Sequence, residues 1–283
     1  MERCIRISFM VFLLVLFWSF STALGQNVHV LVNIWDATEM TVLQKLYTQD
    51  KLPFLSSVGP MFNLMCNQEC FNGRCMKTLT KPQHATMLTG CLANVHGVYT
   101  NYLYQLIPDG ITVYELIEAA NPDYRTAHIS GKGPNFGKST FGNIIEDVDV
   151  FDIKTCPSVA TDMAIDLINQ WKDQSFLIVC HFRKPDRNGH LYGINSIEYQ
   201  NAIKTMDTYL GKLLAALDAN NTDADSVVYV LSDHGFGCPD PYTHKCSPLT
   251  FIVSNDTNLT GDIFMKDVAG YFLSHFGLST VCQ

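Results

Sequence analysis

The sequence predicts an α/β fold with a mostly parallel central sheet and helices on both faces. Short apolar runs of strand type alternate along the chain with segments whose apolar residues recur at helical spacing. The runs are nearly continuous in apolar residues, as strands buried on both faces require. No internal repeat, low-complexity tract or linker is visible in the 283 residues. One domain over residues 26–283 is therefore the simplest interpretation.

Five runs carry the strand pattern. They are VHVLVNI at 28–34, RTAHIS at 125–130, FLIVCHF at 176–182, SVVYVLS at 226–232 and LTFIVS at 249–254. Helical patterns lie near 40–47, 112–120, 158–171, 197–217 and 264–276. In the longest of these, the apolar residues between Ile203 and Leu214 recur at helical spacing and should face the core. A strand alternating with a helix in this way indicates crossover connections and hence parallel strands.

The first 25 residues predict a secretory signal peptide. Arg3 and Arg6 precede a long apolar run, and small residues end the segment at Gly25, so cleavage is expected before Gln26. An uncleaved membrane anchor is the alternative, although the run is short for a span. No later segment has the composition of a bilayer span. We therefore expect a secreted protein without a membrane span once the signal is removed.

The charge of the chain is acidic. The formal net charge is −8, and it becomes −9 without the first 25 residues, which hold two positive charges and one negative. An acidic surface disfavours nucleic acid as a partner, because phosphate backbones need basic grooves. Three N-x-T sequons fit secretion and glycosylation, at Asn220, Asn255 and Asn258. The oligomeric state is left open by the sequence.

The ten cysteines predict disulfides. Cys4 belongs to the first segment, and in a secreted chain most of the other nine are expected to be paired. An odd number leaves one over, and Cys180, inside FLIVCHF, is predicted to be a buried free thiol. The remaining candidates include a cluster at Cys66, Cys70 and Cys75 and a pair at Cys238 and Cys246 that brackets a short loop. Cysteine-bound zinc is disfavoured in an oxidising compartment.

Thr80 lies where a strand-like run stops and a helical pattern begins, within KTLTKPQHATMLTG at 77–90. Threonine at this position is typical of an N-cap, which accepts a hydrogen bond from a backbone N–H group. A nucleophile is the second interpretation, because the helix dipole and the free N–H groups favour an anion there. Position alone does not decide between them.

Carboxylates and histidines follow the predicted strands. Asp36 comes just after 28–34, Asp186 and His190 follow 176–182, Asp233 and His234 follow 226–232, and His244 precedes 249–254. The carboxyl ends of parallel strands share one sheet edge, where these side chains would gather beside Thr80. Crowded carboxylates repel one another unless a cation lies among them. This donor set fits Zn²⁺, or Mn²⁺ with less selectivity, and its size suggests two ions about 4 Å apart.

Each of these elements also has a structural interpretation. An Asp-His pair after a strand is commonly a turn residue followed by a histidine of the core. Asp186 and His190, with Gly189 between them, are compatible with a turn. Their coincidence at one predicted sheet edge is what favours a metal site.

The motifs resemble the alkaline phosphatase superfamily, in particular its type I phosphodiesterase / nucleotide pyrophosphatase branch and related phosphonoacetate hydrolases. They are T-x-P-x-H-x-x-M-L-T-G at 80–90, V-H-G-V at 95–98, K-P-D-x-x-G-H-x-Y-G at 184–193 and S-D-H-G-F at 232–236. The resemblance covers nearly the whole chain after residue 25. It implies an alkaline phosphatase-like fold and a two-metal hydrolase of small phosphate esters.

The resemblance also implies roles for individual residues. Thr80 would be the nucleophile that carries a covalent phospho-intermediate. One metal site would use Asp186, His190 and His244, and the other would use Asp36, Thr80, Asp233 and His234. Asn101 matches an asparagine that bonds the phosphoryl oxygen, with a turn residue as its structural alternative. His84 and His96 are interpreted as structural.

Two positions depart from the pattern or extend it. Only a short segment separates His234 from His244, where the phosphodiesterase branch has a long one, and a Cys238–Cys246 disulfide would fix this abbreviated loop. The site would then be open. Lys132, in HISGKGPNFG, resembles a lysine of some superfamily hydrolases and would suit a phosphomonoester or phosphonate. A solvated loop lysine is the alternative.

Several competing functions are disfavoured. GKGPNFGKST lacks the glycine spacing of a P-loop, and no G-x-S-x-G motif of a serine hydrolase occurs. A sulfatase would need a cysteine or serine where Thr80 stands and an arginine where His84 stands. A binding module that has lost catalysis is the remaining alternative. The phosphodiesterase interpretation is favoured over monoester and phosphonate hydrolysis, and substrate identity stays open.

Overall fold

The computed structural model describes residues 27–102, 105–133, 145, 148–220, 222 and 226–282. The predicted signal peptide at 1–25 lies outside these residues, as does most of GKGPNFGKST. Within the described part, no helix is long and apolar enough to cross a bilayer. The longest described helix, of 23 residues, carries several charges.

The α/β fold with a mostly parallel sheet is confirmed. The described strands are β1 (His29–Trp35), β2 (Met61–Met65), β3 (Cys70–Phe71), β4 (Arg74–Cys75), β5 (Arg125–Ser130), β6 (Val150–Ile153), β7 (Phe176–Phe182), β8 (Ser226–Leu231), β9 (Leu249–Ser254) and β10 (Ile263–Phe264). Eight of them form one sheet in the order β10-β2-β9-β8-β1-β7-β5-β6, and β3 and β4 form a small hairpin. Only the β2–β9 and β8–β9 pairs of the large sheet are antiparallel.

Helices cover both faces of the sheet, as predicted. The described helices are α1 (Met40–Thr48), α2 (Pro53–Val58), α3 (Thr80–Thr89), α4 (Ala93–His96), α5 (Val113–Ala120), α6 (Pro157–Trp171), α7 (Lys184–Tyr192), α8 (Ile197–Ala219) and α9 (Val268–Ser274), the last preceded by a 3₁₀ turn at Met265–Asp267. All seven residues of β1 are buried. Val30, Val32 and Ile34 pack into one core, whereas Leu31 and Trp35 pack into the other. This two-sided burial explains the unbroken apolar runs.

The order of the strands brings the predicted site residues together. β1 lies between β7 and β8, and all three run parallel in register, with Trp35 opposite Phe182 and Ile34 opposite Leu231. The segments that follow these strands therefore leave the sheet at one edge and at one level. Asp36 and Asp233 follow directly, and α7 begins at Lys184.

Three disulfides form within the described chain: Cys70–Cys75, Cys91–Cys282 and Cys238–Cys246. The last of these was predicted, and Cys180 is buried and free, also as predicted. The expectation of a single unpaired cysteine is wrong, because Cys66 and Cys156 are free as well. Cys66 is buried, and its Sγ donates to the carbonyl oxygen of Asp233 at 3.3 Å, while Cys70 and Cys75 pair with each other.

Candidate active site

The two carboxylates that follow β1 and β8 are fully buried. Asp233 Oδ1 accepts hydrogen bonds from the backbone N–H groups of Ala37 and His234, each at 3.0 Å. Asp36 Oδ2 accepts from His181 Nε2 at 2.9 Å and pairs with Lys132 Nζ at 2.5 Å. One oxygen of each carboxylate is thus fixed by the protein, and the other is directed into the site.

The third carboxylate and one histidine come from α7. Asp186 and His190 lie one helical turn apart, so both project from the same face of the helix. Gly189 lets this helix approach the ring of Phe236, since a Cβ atom there would lie 2.8 Å from the ring. Asp186 Oδ1 lies 3.3 Å from His190 Nε2.

His244 is held in the site by its short loop. The Cys238–Cys246 disulfide closes this loop, and Thr78 Oγ1 donates to the carbonyl oxygen of His244 at 2.6 Å. His244 Nε2 lies 3.5 Å from Asp186 Oδ1. Although the segment between His234 and His244 is short, it still places the His244 imidazole beside the Asp186 carboxylate.

The three histidines of the candidate site, His190, His234 and His244, all direct Nε2 into the site. His190, His234 and His244 each donate Nδ1–H to a backbone carbonyl, of Tyr242 at 2.8 Å, of Gly235 at 2.9 Å and of Thr78 at 3.1 Å. A neutral ring that donates from Nδ1 has its lone pair at Nε2. Metal-ligating histidines are commonly oriented by such a hydrogen bond at the other nitrogen.

The carboxylate oxygens that face these Nε2 atoms have no hydrogen-bond partner among the described residues. They are Asp36 Oδ1, Asp186 Oδ1 and Asp233 Oδ2. Buried oxygens without partners are costly, which indicates that something else satisfies them. His234 Nε2 lies 3.7 Å from Asp36 Oδ1 and 3.5 Å from Asp233 Oδ2. Two ligands of a tetrahedral ion, each about 2.1 Å from it, lie about 3.4 Å apart, so these separations fit a divalent metal.

The six predicted donors form two compact sets, and a third group, of His84, His181 and Asp233, shares Asp233 with the second set. The ligand atoms of Asp186, His190 and His244 lie within 4.8 Å of one another, as do those of Asp36, Asp233 and His234. They are the two sets that the family resemblance implies, apart from Thr80. Thr80 lies beside the second, with its Oγ1 3.5 Å from His234 Nε2.

Thr80 is the first residue of α3, and its hydroxyl does not cap the helix. Leu79 occupies the N-cap position without a side-chain bond. Instead, Asn101 Oδ1 accepts a hydrogen bond from the N–H group of Lys81 at 2.9 Å. The N-cap interpretation of Thr80 is therefore wrong, because a residue from another loop satisfies the first turn. Asn101 also lines a cavity of about 540 Å³ together with Asp186, His190 and His244.

Lys132 connects the two donor sets. Its ammonium group lies 2.5 Å from Asp36 Oδ2 and 2.8 Å from Asp186 Oδ2, and it donates to Thr80 Oγ1 at 3.1 Å. The alternative of a solvated loop lysine is thus wrong. Burial opposes the charge on Lys132, but the attraction of Asp36 and Asp186 outweighs it and raises the pKa of the ammonium group.

The site holds more negative charge than its own cation balances. Burial, followed by repulsion from Asp36, raises the pKa of Asp233 to about 8. For Asp36, burial works in the same direction, but attraction to Lys132 and the hydrogen bond from His181 hold its pKa well below the ordinary value. One carboxylate of a pair is therefore driven toward the protonated form, the electrostatic situation that a bound divalent cation would relieve.

Residues 118–260 match the family model for type I phosphodiesterase / nucleotide pyrophosphatase. The chain belongs to this family. The matched stretch includes Lys132, Asp186, His190, Asp233, His234 and His244, whereas Asp36, Thr80 and Asn101 precede it.

Curated relatives cover part of the chain. It is 27% identical over 172 residues to human ectonucleotide pyrophosphatase/phosphodiesterase family member 1, spanning 56% of this chain and 19% of that protein. It is 23% identical over 198 residues to family member 7 from Mus musculus, spanning 62% of this chain and 45% of that protein. The matched region is therefore less than half the length of these relatives.

Solved structures share the fold. Murine ectonucleotide pyrophosphatase/phosphodiesterase 5, an inactive threonine-to-alanine variant in complex with AMP, has a TM-score of 0.59 and 14% identity, covering 90% of this chain and 96% of that one. The phosphonate monoester hydrolase of Silicibacter pomeroyi has a TM-score of 0.61 and 11% identity, covering 89% and 73%. A 2-O GAG sulfatase has a TM-score of 0.62 and 11% identity, covering 90% and 71%.

Two further histidines of this family member, His181 and His84, contact candidate ligands, and the sequence did not predict these contacts. His181 Nδ1 accepts from the N–H group of Gly131 at 3.3 Å, which places its proton on Nε2 facing Asp36. His84 Nδ1 donates to the carbonyl oxygen of Thr80 at 2.9 Å and lies 3.5 Å from Asp233 Oδ2. His84, interpreted as structural, thus touches a candidate ligand. The signal for His181 was a polar residue inside the apolar run FLIVCHF.

Replacing His181 with alanine is expected to lower metal affinity about 10- to 100-fold, because Asp36 loses the hydrogen bond that orients it. Metal titration of the variant measures this. The matched control is His128→Asn, which alters another buried histidine in a neighbouring strand, bonded to the Tyr114 hydroxyl at 2.8 Å. Unchanged affinity in His181→Ala would rule out a positioning role.

Proposed function

We propose that the chain is a secreted hydrolase of phosphate esters that uses two divalent metal ions and Thr80 as its nucleophile. The observation that carries this proposal is the set of three buried carboxylate oxygens without hydrogen-bond partners that face three histidine Nε2 atoms. Membership of the phosphodiesterase / nucleotide pyrophosphatase family supports the reaction class.

One ion would be held by Asp186, His190 and His244, and the other by Asp36, Asp233 and His234 with the Thr80 hydroxyl. Imidazole and carboxylate donors favour zinc, with manganese as the alternative. Bound ions of this kind lower the pKa of a nearby hydroxyl or water and offset charge on phosphoryl oxygens.

Thr80 Oγ1 would lose its proton to water and attack phosphorus, forming an Oγ1–P bond as the bond to the leaving-group oxygen breaks and that oxygen takes up a proton from solvent. Lys132 Nζ, 3.1 Å from this oxygen, stabilises the threonine alkoxide and the phosphoryl charge. The N-terminal end of α3 adds a favourable dipole for an anion. Water would then attack the phosphothreonine, the Oγ1–P bond would break, and Thr80 Oγ1 would take up the proton that the attacking water releases. The inactive threonine-to-alanine variant of the murine relative is in line with such a nucleophile.

Asn101 would donate from Nδ2 to a phosphoryl oxygen. Its Oδ1 is already used by the N–H group of Lys81, which fixes the orientation of the amide. The bond to α3 thus both completes the first turn of the helix and aims the other end of the amide at the cavity. This donor suits the single charge of a diester, which is why diester or nucleotide-type substrates are favoured.

Monoester or phosphonate hydrolysis is the second candidate, and the position of Lys132 favours it. An ammonium group that touches both donor sets would offset the extra charge of a dianionic substrate. Sulfatase activity is disfavoured, because threonine at position 80 cannot become formylglycine.

Replacing Lys132 with methionine is expected to lower turnover of an aryl phosphate monoester about 100-fold and to lower diester turnover less, because the diester carries one charge fewer. Steady-state kinetics on matched mono- and diesters measure the difference. Lys154→Met, which removes a lysine paired with Asp152 outside the site, is the control. Equal losses on both substrates would argue against charge selection by Lys132.

The proposed function is tested by metal analysis of the purified protein together with turnover of aryl phosphate mono- and diesters. Two ions per chain and turnover of either ester are expected. The preferred ester decides between the two candidate activities. Absence of both metal and turnover would identify a binding module instead.

Secretion predicts glycosylation, and the three sequons differ in how their amide groups are used. Asn255 Nδ2 donates to the carbonyl oxygen of Ser226 at 2.9 Å, and Asn220 Nδ2 donates to Asn169 and to the backbone. Asn258 is exposed, and among the described residues only its backbone N–H group forms a hydrogen bond, to Asp256 Oδ1 at 2.9 Å. We therefore expect Asn258 to carry the dominant glycan in material secreted from eukaryotic cells. Peptide mapping after deglycosylation measures occupancy, and equal occupancy at Asn255 would contradict the expectation.

A further inference from the structure

α7 contributes residues both to the candidate active site and to a second cavity of about 440 Å³. Asp186 and His190 lie on one face of this helix. Arg187 and Leu191, four residues apart on α7, line the second cavity together with the N-cap residue Arg183. The two cavities therefore share a helix but use different side chains.

The second cavity is cationic in an acidic chain. Arg183, Lys184 and Arg187 line it together with the amide of Asn188, and no carboxylate is among its lining residues. Within the described part of the chain, none of these three cations forms an ion pair with a carboxylate; the ion pairs of Arg125, Lys132, Lys154 and Lys266 lie elsewhere. Cations that line one cavity without a carboxylate partner favour an anion as ligand.

The same cavity offers further contacts that suit an organic anion. Leu191 and Tyr192 are half exposed, at 57% and 51%, and contribute apolar and aromatic surface beside the guanidinium groups. Arginine matches the planar geometry of paired oxygens on a phosphate or sulfate group, and Asn188 adds an amide donor. A volume of this size accommodates a small ligand.

We propose that this cavity binds a phosphate or sulfate group of a second anionic ligand, separately from the candidate active site. Arg183 and Arg187 would form the charged contacts, Asn188 would donate a hydrogen bond, and Tyr192 would cover the organic part of the ligand. An organic phosphate or sulfate ester and the free phosphate or sulfate ion present the same oxygens, so both are expected to bind. The proposal does not depend on the chain being an active hydrolase.

Cys156 provides a readout that is independent of turnover. It lines the cavity and is exposed, whereas the other free cysteines of the described chain, Cys66 and Cys180, are buried. Its reaction with N-ethylmaleimide, an uncharged reagent, is measured with increasing phosphate, pyrophosphate or sulfate. Saturable protection is expected, about tenfold at ten times the dissociation constant of the anion, because an occupied cavity shields the thiol. A Cys156→Ser variant checks that the signal comes from this thiol.

Matched variants decide where the anion binds. Arg183→Gln/Arg187→Gln should lose the protection while inhibition of ester turnover by phosphate is retained. The control Lys204→Gln/Lys212→Gln removes two cations from α8 and should retain the protection. If pyrophosphate protects Cys156 more strongly than phosphate and sulfate do, the ligand carries several phosphate groups. If all three anions protect Cys156 equally in the wild-type protein, the cavity is a general oxyanion site. No protection by any of the three anions, or equal protection in the arginine double variant, would overturn the proposal. If ester turnover is absent but Cys156 is protected, only the proposed function fails.

Discussion

Replacing Thr80 with alanine is expected to abolish ester turnover, with a loss of at least about 10⁴-fold, while two metal ions stay bound. Removal of a nucleophile that forms a covalent intermediate leaves only the binding and electrostatic contributions to the rate. Six further candidate ligands, three carboxylates and three histidines, remain in the variant. Steady-state kinetics and metal analysis of the same preparation measure the two effects.

Two other threonines on or near α3 serve as comparisons, because their hydroxyls are already engaged. Thr78 Oγ1 donates to the carbonyl oxygen of His244 at 2.6 Å, and Thr86 Oγ1 donates to that of Pro82 at 3.0 Å. Thr86→Ala should lose some stability, on the order of 1 kcal/mol, but keep its turnover. Thr80→Ser should recover much of the activity, since it restores the hydroxyl. Mass spectrometry of protein quenched during turnover should find a phosphoryl group on Thr80, and full activity in Thr80→Ala would move the nucleophile elsewhere.

The sequence was most informative about strands buried on both faces. The five predicted strands all form, with ends that differ by at most one residue from the prediction. β2, β6 and β10 of the large sheet and the hairpin strands β3 and β4 were missed because they lack the unbroken apolar run. β2 buries only Leu64 and pairs antiparallel with β9, while β6 is a short edge strand that contains Asp152. A pattern of apolar residues detects burial, and strands with few buried residues therefore do not show it.

The sequence predicted which residues form the candidate site, but it did not predict the contacts between them. Strand order alone gathers Asp36, Asp186 and Asp233 at one edge, so reading the residues after each strand was enough to find them. The contact of Lys132 with both sets, and the bond from Asn101 to α3, depend on how loops far apart in sequence meet. His181 was missed for a different reason: a histidine in an apolar strand has the same pattern whether it is a core residue or the partner of a carboxylate.

Replacing Asp186 with asparagine is expected to remove one ion of the two and to lower turnover about 1,000-fold. Asp186 is the one carboxylate of its donor set, and the other set does not use it. The melting temperature should also fall, because an ion present at 1,000 times its dissociation constant stabilises the folded state by about 4 kcal/mol. Metal analysis and thermal unfolding with added zinc measure both. Asp207→Asn is the matched control, since Asp207 is buried but accepts from backbone N–H groups of α2.

Metal analysis and thermal unfolding also distinguish a site with two ions from a site with one ion and the Lys132 ammonium group. Lys132 Nζ bridges one oxygen of Asp36 and one of Asp186, so an ammonium group already offsets part of the charge of each donor set. If two ions bind, Asp186→Asn and Asp36→Asn should each retain one, and Lys132→Met should retain both. If the wild-type protein holds a single ion that Asp36→Asn loses and Asp186→Asn keeps, Lys132 supplies the second positive charge. The two-metal proposal would then be wrong, and the unpartnered Oδ1 of Asp186 would be left to a substrate or water donor.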